Sequence, residues 1–308
     1  MPILLRKPGP PQTVENVPPP TAYDQRFTGI LAEGARLRSL YDQAVFSEGP
    51  VWWPAREILV WSDVEGRRVL GWHPDGRVEV VLDATPFTNG HTIDAEGNLI
   101  HCEHGSRSLS CTTPAGQTTE LVRDYDGRRF NSPNDVTCAP DGALWFTDPA
   151  FGLHSPRQGA LDKPELDHRS VYRFDPRSGQ VSRMADFEQP NGLGFSPDGG
   201  TLYVSDTSQA LGGARHEIQA FDVGDGGKLS ARRLFAVIEP GVPDGFCVDR
   251  RGWIWTSSGA GVQVLSDKAE KLGLIPTPQA ATNCALGPGE RRHFITSQQY
   301  LYAIDLGQ

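Results

Sequence analysis

One structural unit recurs six times along this chain. In each copy a polar residue opens an apolar run, a tight turn follows, and the chain returns as a short strand. The polar residues are Glu48, His91, Asn134, Asn191, Asp244 and Asn283. The distances from them to the ends of the returning strands, at Asp63, His104, Asp148, Asp206, Ser258 and Ser297, are 15, 13, 14, 15, 14 and 14 residues. The repeat is readable in PAREILVWSD (54–63), AEGNLIHCEH (95–104), PDGALWFTD (140–148), PDGGTLYVSD (197–206), RRGWIWTSS (250–258) and GPGERRHFITS (287–297). Most units continue into two further short strands, as in 69–82 and 171–184. Four short strands repeating every roughly 40 to 60 residues predict a propeller blade. Six units predict an all-β, six-bladed β-propeller with four-stranded blades.

The spacing is uneven. Between Asp148 and Asp206 it reaches 58 residues, and the excess lies in the polar, Pro-containing stretch 154–169, which predicts a loop over one face, a candidate lid. The last unit ends one strand short, at 300–306, whereas the strand-like RLRSLYD (36–42) has no blade of its own. It is expected to complete the sixth blade and close the ring, removing the free edges there. Residues 1–25 form a Pro-rich arm without periodicity and are expected to be irregular, leaving 26–308 as a single propeller domain.

Composition narrows the partners. A formal charge of −9 and a pI near 5.4 argue against nucleic acid or an anionic membrane and favour a cation or a small neutral substrate. No apolar run approaches the ~20 residues that span a bilayer, and the first ten residues lack a secretory apolar region, so a cytoplasmic location is expected, with the oligomeric state left open. Cys102, Cys111, Cys138, Cys247 and Cys284 are an odd set without C-x-x-C spacing. They read as small buried apolar residues in a reducing compartment rather than as a zinc site or a disulfide framework, although Cys102 and Cys111 flank a hairpin.

In a propeller the innermost strand of every blade runs along the central channel, so residues at one register form a ring about the axis. The six polar residues are therefore expected near one channel mouth. Carboxylate and amide oxygens without thiolate suit a hard cation, Ca2+ first, with Zn2+, Mn2+ and Mg2+ as alternatives. An imidazole is a poorer Ca2+ ligand, which assigns His91 to substrate instead. Taken singly, an Asn or Asp before a strand more often caps a turn. Their common register is what points to a site.

These residues resemble a known family. SEGPVW (47–52), RFNSPNDV (129–136), WFTDP (145–149), PNGL (190–193), LYVSD (202–206) and PDGF (243–246) are similar to the gluconolactonase, senescence marker protein (regucalcin) and luciferin-regenerating enzyme family. NSPNDV and CEH (102–104) place the likeness nearest its bacterial gluconolactonase branch. The resemblance spans about residues 35–306 and implies a calcium-dependent propeller that hydrolyses sugar lactones such as glucono-1,5-lactone. By motif it implies Glu48, Asn134, Asn191 and Asp244 as metal ligands, the same four best oxygen donors that spacing selects.

The chemistry then expected is Lewis-acid polarisation of a lactone carbonyl, attack by water, and departure of the ring oxygen. Asp244 is the first choice to orient or deprotonate that water, with Glu48 the competing catalytic residue. Substrate contacts are expected from Asn131, Asn89, His91, His104, Arg129, Asp148 and Asp206. Of these, Asp148 and Asp206 read equally well as hydrogen-bond devices that stabilise blades. Trp52, Trp53, Trp145 and Trp255 read as packing between blades. No G-x-S-x-G elbow is present. A metal-dependent phosphotriesterase, a lactonase for non-sugar substrates, and a non-catalytic calcium-stabilised interaction propeller remain open alternatives at this point.

Overall fold

The structure is a computed structural model that describes residues 3–7 and 9–307. Met1, Pro2, Pro8 and Gln308, at the margins of the two expected units, lie outside the described residues. Six antiparallel sheets form the six blades of a propeller. Their inner strands are Ser47–Trp53, Thr88–Ile93, Val136–Cys138, Pro190–Phe195, Phe246–Val248 and Asn283–Leu286.

The returning strands are the buried centre of each blade. Ile58–Asp63, Leu99–Glu103, Leu144–Asp148 and Ile254–Ser258 are buried at every residue. A strand covered on both faces by neighbouring blades needs no polar face, which is why these segments read as short continuous apolar runs. Each is launched from a tight turn whose last bend lies in the left-handed region. Gly97, Gly142, Gly199 and Gly252 take φ of 82°, 83°, 72° and 81° there, and Glu57 takes φ 53° in the first blade. Each of these glycines donates its N–H three residues back, to Asp94, Ala139, Ser196 and Asp249 carbonyls. Large side chains then knit blades in pairs: Ile100 and Leu109 of the second blade pack with Leu144, Phe146 and Tyr172 of the third. Trp53, Trp145 and Trp255 are fully buried, as expected of packing residues.

Ring closure follows the expectation. Arg38–Tyr41 pairs antiparallel with Tyr300–Asp305 and supplies the strand the sixth blade lacks. The N-terminal arm departs from it. Ile3–Arg6 adds to Val78–Leu82 of the first blade, Gln12–Thr13 to Arg38–Tyr41 of the sixth, and Thr21–Ala22 to Lys271–Pro276 of the fifth. These strands are two to four residues long and lie between prolines, too short to show a period of two in the sequence. The described part of the arm thus clasps the outer edges of three blades.

The 154–169 stretch does lie over the face of the channel. A short helix, Phe151–His154, leads into it. The loop is tied down by Arg107 Nη1 to Asp162 at 3.0 Å, by an Arg157–Glu65 ion pair, and by the buried Leu166. Cys102 and Cys111 sit on adjacent strands opposite Leu109 and Ile100, and all five cysteines are free.

Candidate active site

A cavity of about 240 Å³ opens at one end of the channel, and its floor is built by the inner strands. Glu48, Asn134, Asn191 and Asp244 line it together, from the first, third, fourth and fifth blades. The second blade contributes Asn89, not His91, and the sixth does not contribute Asn283. Backbone bonds show the equivalence. Gly90 N–H donates to the Asn134 carbonyl at 2.8 Å, Gly192 to Asp244 at 2.9 Å and Gly245 to Thr282 at 2.7 Å, so the ring runs Glu48, Asn89, Asn134, Asn191, Asp244, Thr282.

His91 and Asn283 line a second cavity farther along the channel. The physical reason is a bulge: inner-strand register shifts between Glu48 and Val51, between Thr88 and His91, and between Pro190 and Leu193. Such extra residues are invisible to counting along a sequence. His91 is therefore not placed at the first cavity. Its ring nitrogens meet Ser62 Oγ at 2.8 Å and His101 Nδ1 at 3.2 Å.

Glycine lets the blades approach at this ring. A Cβ on Gly49, at φ 54°, would lie 2.3 Å from the Asn89 carbonyl oxygen, and one on Gly245 would lie 2.0 Å from the Asn283 side chain. The pairs Glu48-Gly49, Asn89-Gly90, Asn191-Gly192 and Asp244-Gly245 thus combine a donor with the missing side chain that brings the next donor near.

The amides are held by their nitrogens. Asn191 Nδ2 donates to Thr207 Oγ1 at 3.3 Å, and Asn89 and Asn134 Nδ2 approach His104 Nε2 at 3.2 and 3.3 Å. His104 Nδ1 lies 2.9 Å from the Gln158 carbonyl, which can only accept. Nδ1 therefore carries the proton and Nε2 is the acceptor for both amides. Burial lowers the His104 pKa to about 4, keeping the ring neutral. His104 lines the cavity as expected, but both its nitrogens are engaged, and it orients ring amides.

The carboxylates carry the electrostatic tension. Burial, and then the Asp244 charge, push Glu48 well above the usual range, and burial raises Asp244 to about 7. No Lys or Arg lines the cavity. Two buried acids with amide oxygens around them and no cationic side chain form the donor set that an oxygen-seeking divalent cation binds. Gly49 N–H donates to Glu48 Oε2 at 3.0 Å, whereas Asp244 is the more exposed of the two acids.

Four other expected substrate contacts are structural. Asp148, fully buried, accepts the N–H groups of Asn131 and Ser132 at 2.8 Å each, and Asn131 Nδ2 at 3.1 Å. Asp206 accepts those of Glu188, Gln189 and Ser208 at 2.9, 3.1 and 3.1 Å. Asp63 does the same for Val45 and Phe46. A carboxylate ending the returning strand thus clamps the loop that delivers the next ring residue, which places Asn131, Asp148 and Asp206 behind the site. Arg129 bonds the Ser106 carbonyl and, through its N–H, Glu165, and it does not line the cavity. The walls that sequence reasoning missed are Phe46, Phe151, Gln158, Thr207, Leu211 and Val242, mostly on loops outside the repeat, where no periodic signal exists.

Fold and site together define a six-bladed propeller with an oxygen-donor ring at one end of its channel. Residues 46–299 match the SMP-30/Gluconolactonase/LRE-like region, and the chain belongs to that family. It is similar to the solved gluconolactonase of Xanthomonas campestris, with 50% identity and a TM-score of 0.94 over 98% of this chain and 99% of that one. It is 28% identical over 308 residues to the gluconolactonase of Zymomonas mobilis, covering 92% of this chain and 85% of the relative. Against the pentonolactonase XacC of Haloferax volcanii the figures are 28% over 248 residues, 78% and 77%.

Proposed function

We propose that this chain opens sugar lactones such as glucono-1,5-lactone to the aldonic acid, assisted by a divalent cation, Ca2+, held by Glu48, Asn134, Asn191 and Asp244. It is a lactone-hydrolysing enzyme, a reading supported by the gluconolactonase and pentonolactonase relatives. The observation that carries the cation is the pair of buried acids, Glu48 and Asp244, sharing one cavity with no Lys or Arg.

When bound, the cation supplies a Lewis acid that polarises the lactone carbonyl and stabilises the charge developing there. The cavity, at about 240 Å³, is smaller than the roughly 300–1,000 Å³ that holds drug-sized ligands and suits a single sugar ring. Its lack of basic side chains favours a neutral lactone over a phosphorylated or sulfonated one. Asn89, Asn134 and Asn191 present polar edges to the ring hydroxyls. Asp244 orients the attacking water and takes its proton; the ring C–O bond breaks, and that proton serves the departing alkoxide. The greater exposure of Asp244 leaves it room for water that Glu48, bonded to Gly49, lacks. Five free thiols suit a reducing compartment, and we assign the reaction to the cytoplasm. Among the described residues no helix is long and apolar enough to cross a membrane.

The test is proton release from glucono-1,5-lactone above the spontaneous rate, with chelator and with Ca2+ restored. Asp244→Asn should lower kcat by roughly 10²–10⁴-fold with the fold retained. Turnover that survives complete cation removal would refute the metal assignment, and preference for a fluorophosphate over every lactone would move the chain to phosphotriester chemistry.

A further inference from the structure

The second cavity, about 320 Å³, lies on the channel beyond the ring and shares no lining residue with the first. Two of its walls are Cys247, on the inner strand of the fifth blade, and Cys284, on that of the sixth. Thirty-seven residues apart in sequence, their Sγ atoms stand 3.8 Å apart. His293, on the returning strand of the sixth blade, directs Nε2 at Cys247 Sγ from 3.9 Å, and the three donor atoms all lie within 4.8 Å of one another.

The histidine is the anomalous member. It is 0% exposed, its Nδ1 has no hydrogen-bond partner, and Nε2 faces only the thiol. A buried imidazole normally gives at least one nitrogen to a short hydrogen bond. This one is held in place by its ring against Trp255, centroids 4.7 Å apart, and aims an unused donor at two thiols.

Spacing and chemistry then select the ligand. Around a tetrahedral ion with metal–sulfur bonds near 2.3 Å, two thiolate sulfurs are about 3.8 Å apart, and a sulfur and an imidazole nitrogen about 3.6 Å. The sulfur pair already has this separation, and the imidazole is a few tenths of an ångström too far. A disulfide would need the sulfurs at about 2.05 Å, a much larger closure between strands of two different blades. Thiolate and imidazole donors prefer a thiophilic ion, the reverse of the oxygen ring in the first cavity.

We propose that Cys247, Cys284 and His293 form a second metal site, for a thiophilic divalent ion of the Zn2+ type, with its fourth position open to the lower cavity. Binding replaces the two thiol protons, which are released to solvent, and the hydrogen bond that Cys284 Sγ now donates to the Trp255 carbonyl at 3.0 Å is given up. The bound ion cross-links the inner strands of the fifth and sixth blades.

The experiment is Co2+ titration of the full chain, anaerobically reduced and with Ca2+ in excess so that the oxygen ring is satisfied. One equivalent should bind with a thiolate-to-cobalt charge-transfer band and the visible bands of tetrahedral cobalt, both displaced by Zn2+. Cys247→Ser should weaken this binding by at least the roughly 10–100-fold seen when a mere supporting partner is lost. Asp244→Asn should leave the spectrum unchanged. Because Cys247 is partly exposed, the wild type gives an independent reading: Zn2+ should slow its alkylation by iodoacetamide. Absence of a thiolate band, a band that persists in Cys247→Ser, alkylation rates indifferent to Zn2+, or closure of the pair to a disulfide in place of cobalt uptake would each overturn the proposal.

Discussion

At the scale of single residues the site is governed by what surrounds each donor. Asp244 illustrates it: burial raises its carboxyl from the usual 3.8 to about 7. Since the folded value exceeds the unfolded one, the cation-free fold holds this proton more tightly than the unfolded chain does. The resulting stability is present below about pH 4 and lost as pH rises through about 7. A cation takes the place of that proton. The rise in Tm on adding Ca2+ should therefore be larger at pH 8 than at pH 5, read by calorimetry; equal rises would separate the cation from Asp244. His104 acts one step back, as the acceptor that holds Asn89 and Asn134. His104→Ala should weaken Ca2+ binding by roughly 10–100-fold in a calorimetric titration while the wild-type pH dependence persists. Retention of full affinity would mean that the amides are held without it.

At the scale of elements, the repeated device is the carboxylate that ends a returning strand and clamps the loop before the next inner strand. Asp206→Ala would leave three backbone N–H groups without their acceptor. At about 1–3 kcal/mol for each buried donor left unsatisfied, and with water reaching some of them, a loss of about 3 kcal/mol is expected in chemical denaturation. A loss under about 1 kcal/mol would show that Asp206 is not a clamp. The arm works at the same scale. Deleting residues 3–24 would bare the outer edges of the first, fifth and sixth blades together, and light scattering should report association, since unpaired edges are templates for strand addition.

At the scale of the molecule, closure joins both ends of the chain in the sixth blade, so strain or loss there is felt globally. Leu40 is 1% exposed in the strand that closes the ring. Leu40→Ala should cost about 2–5 kcal/mol and lower the whole transition, visible as faster hydrogen exchange in blades remote from the substitution. Exchange accelerated only in the sixth blade would mean that the ring opens locally.

The six-fold unit, the four-stranded blade, the closing strand and the four donors Glu48, Asn134, Asn191 and Asp244 were all legible in the sequence, because each is a local pattern: an apolar run of set length, a turn with its left-handed residue, and a polar residue at a recurring offset. The sequence could not say that Asn89 stands in the ring where His91 was expected, since a bulge in an inner strand changes which residue faces the mouth without changing the composition of the strand. Nor could it separate Asp148 and Asp206 from the site, because a carboxylate that binds a substrate and one that binds backbone N–H groups are the same letter at the same offset. The arm's three short strands and the meeting of Cys247, Cys284 and His293 depend on partners 37 to more than 250 residues away. Local pattern determined which elements form and how many; the relative placement of side chains from different blades exists only once the ring has closed, and that is where the tertiary structure alone decided.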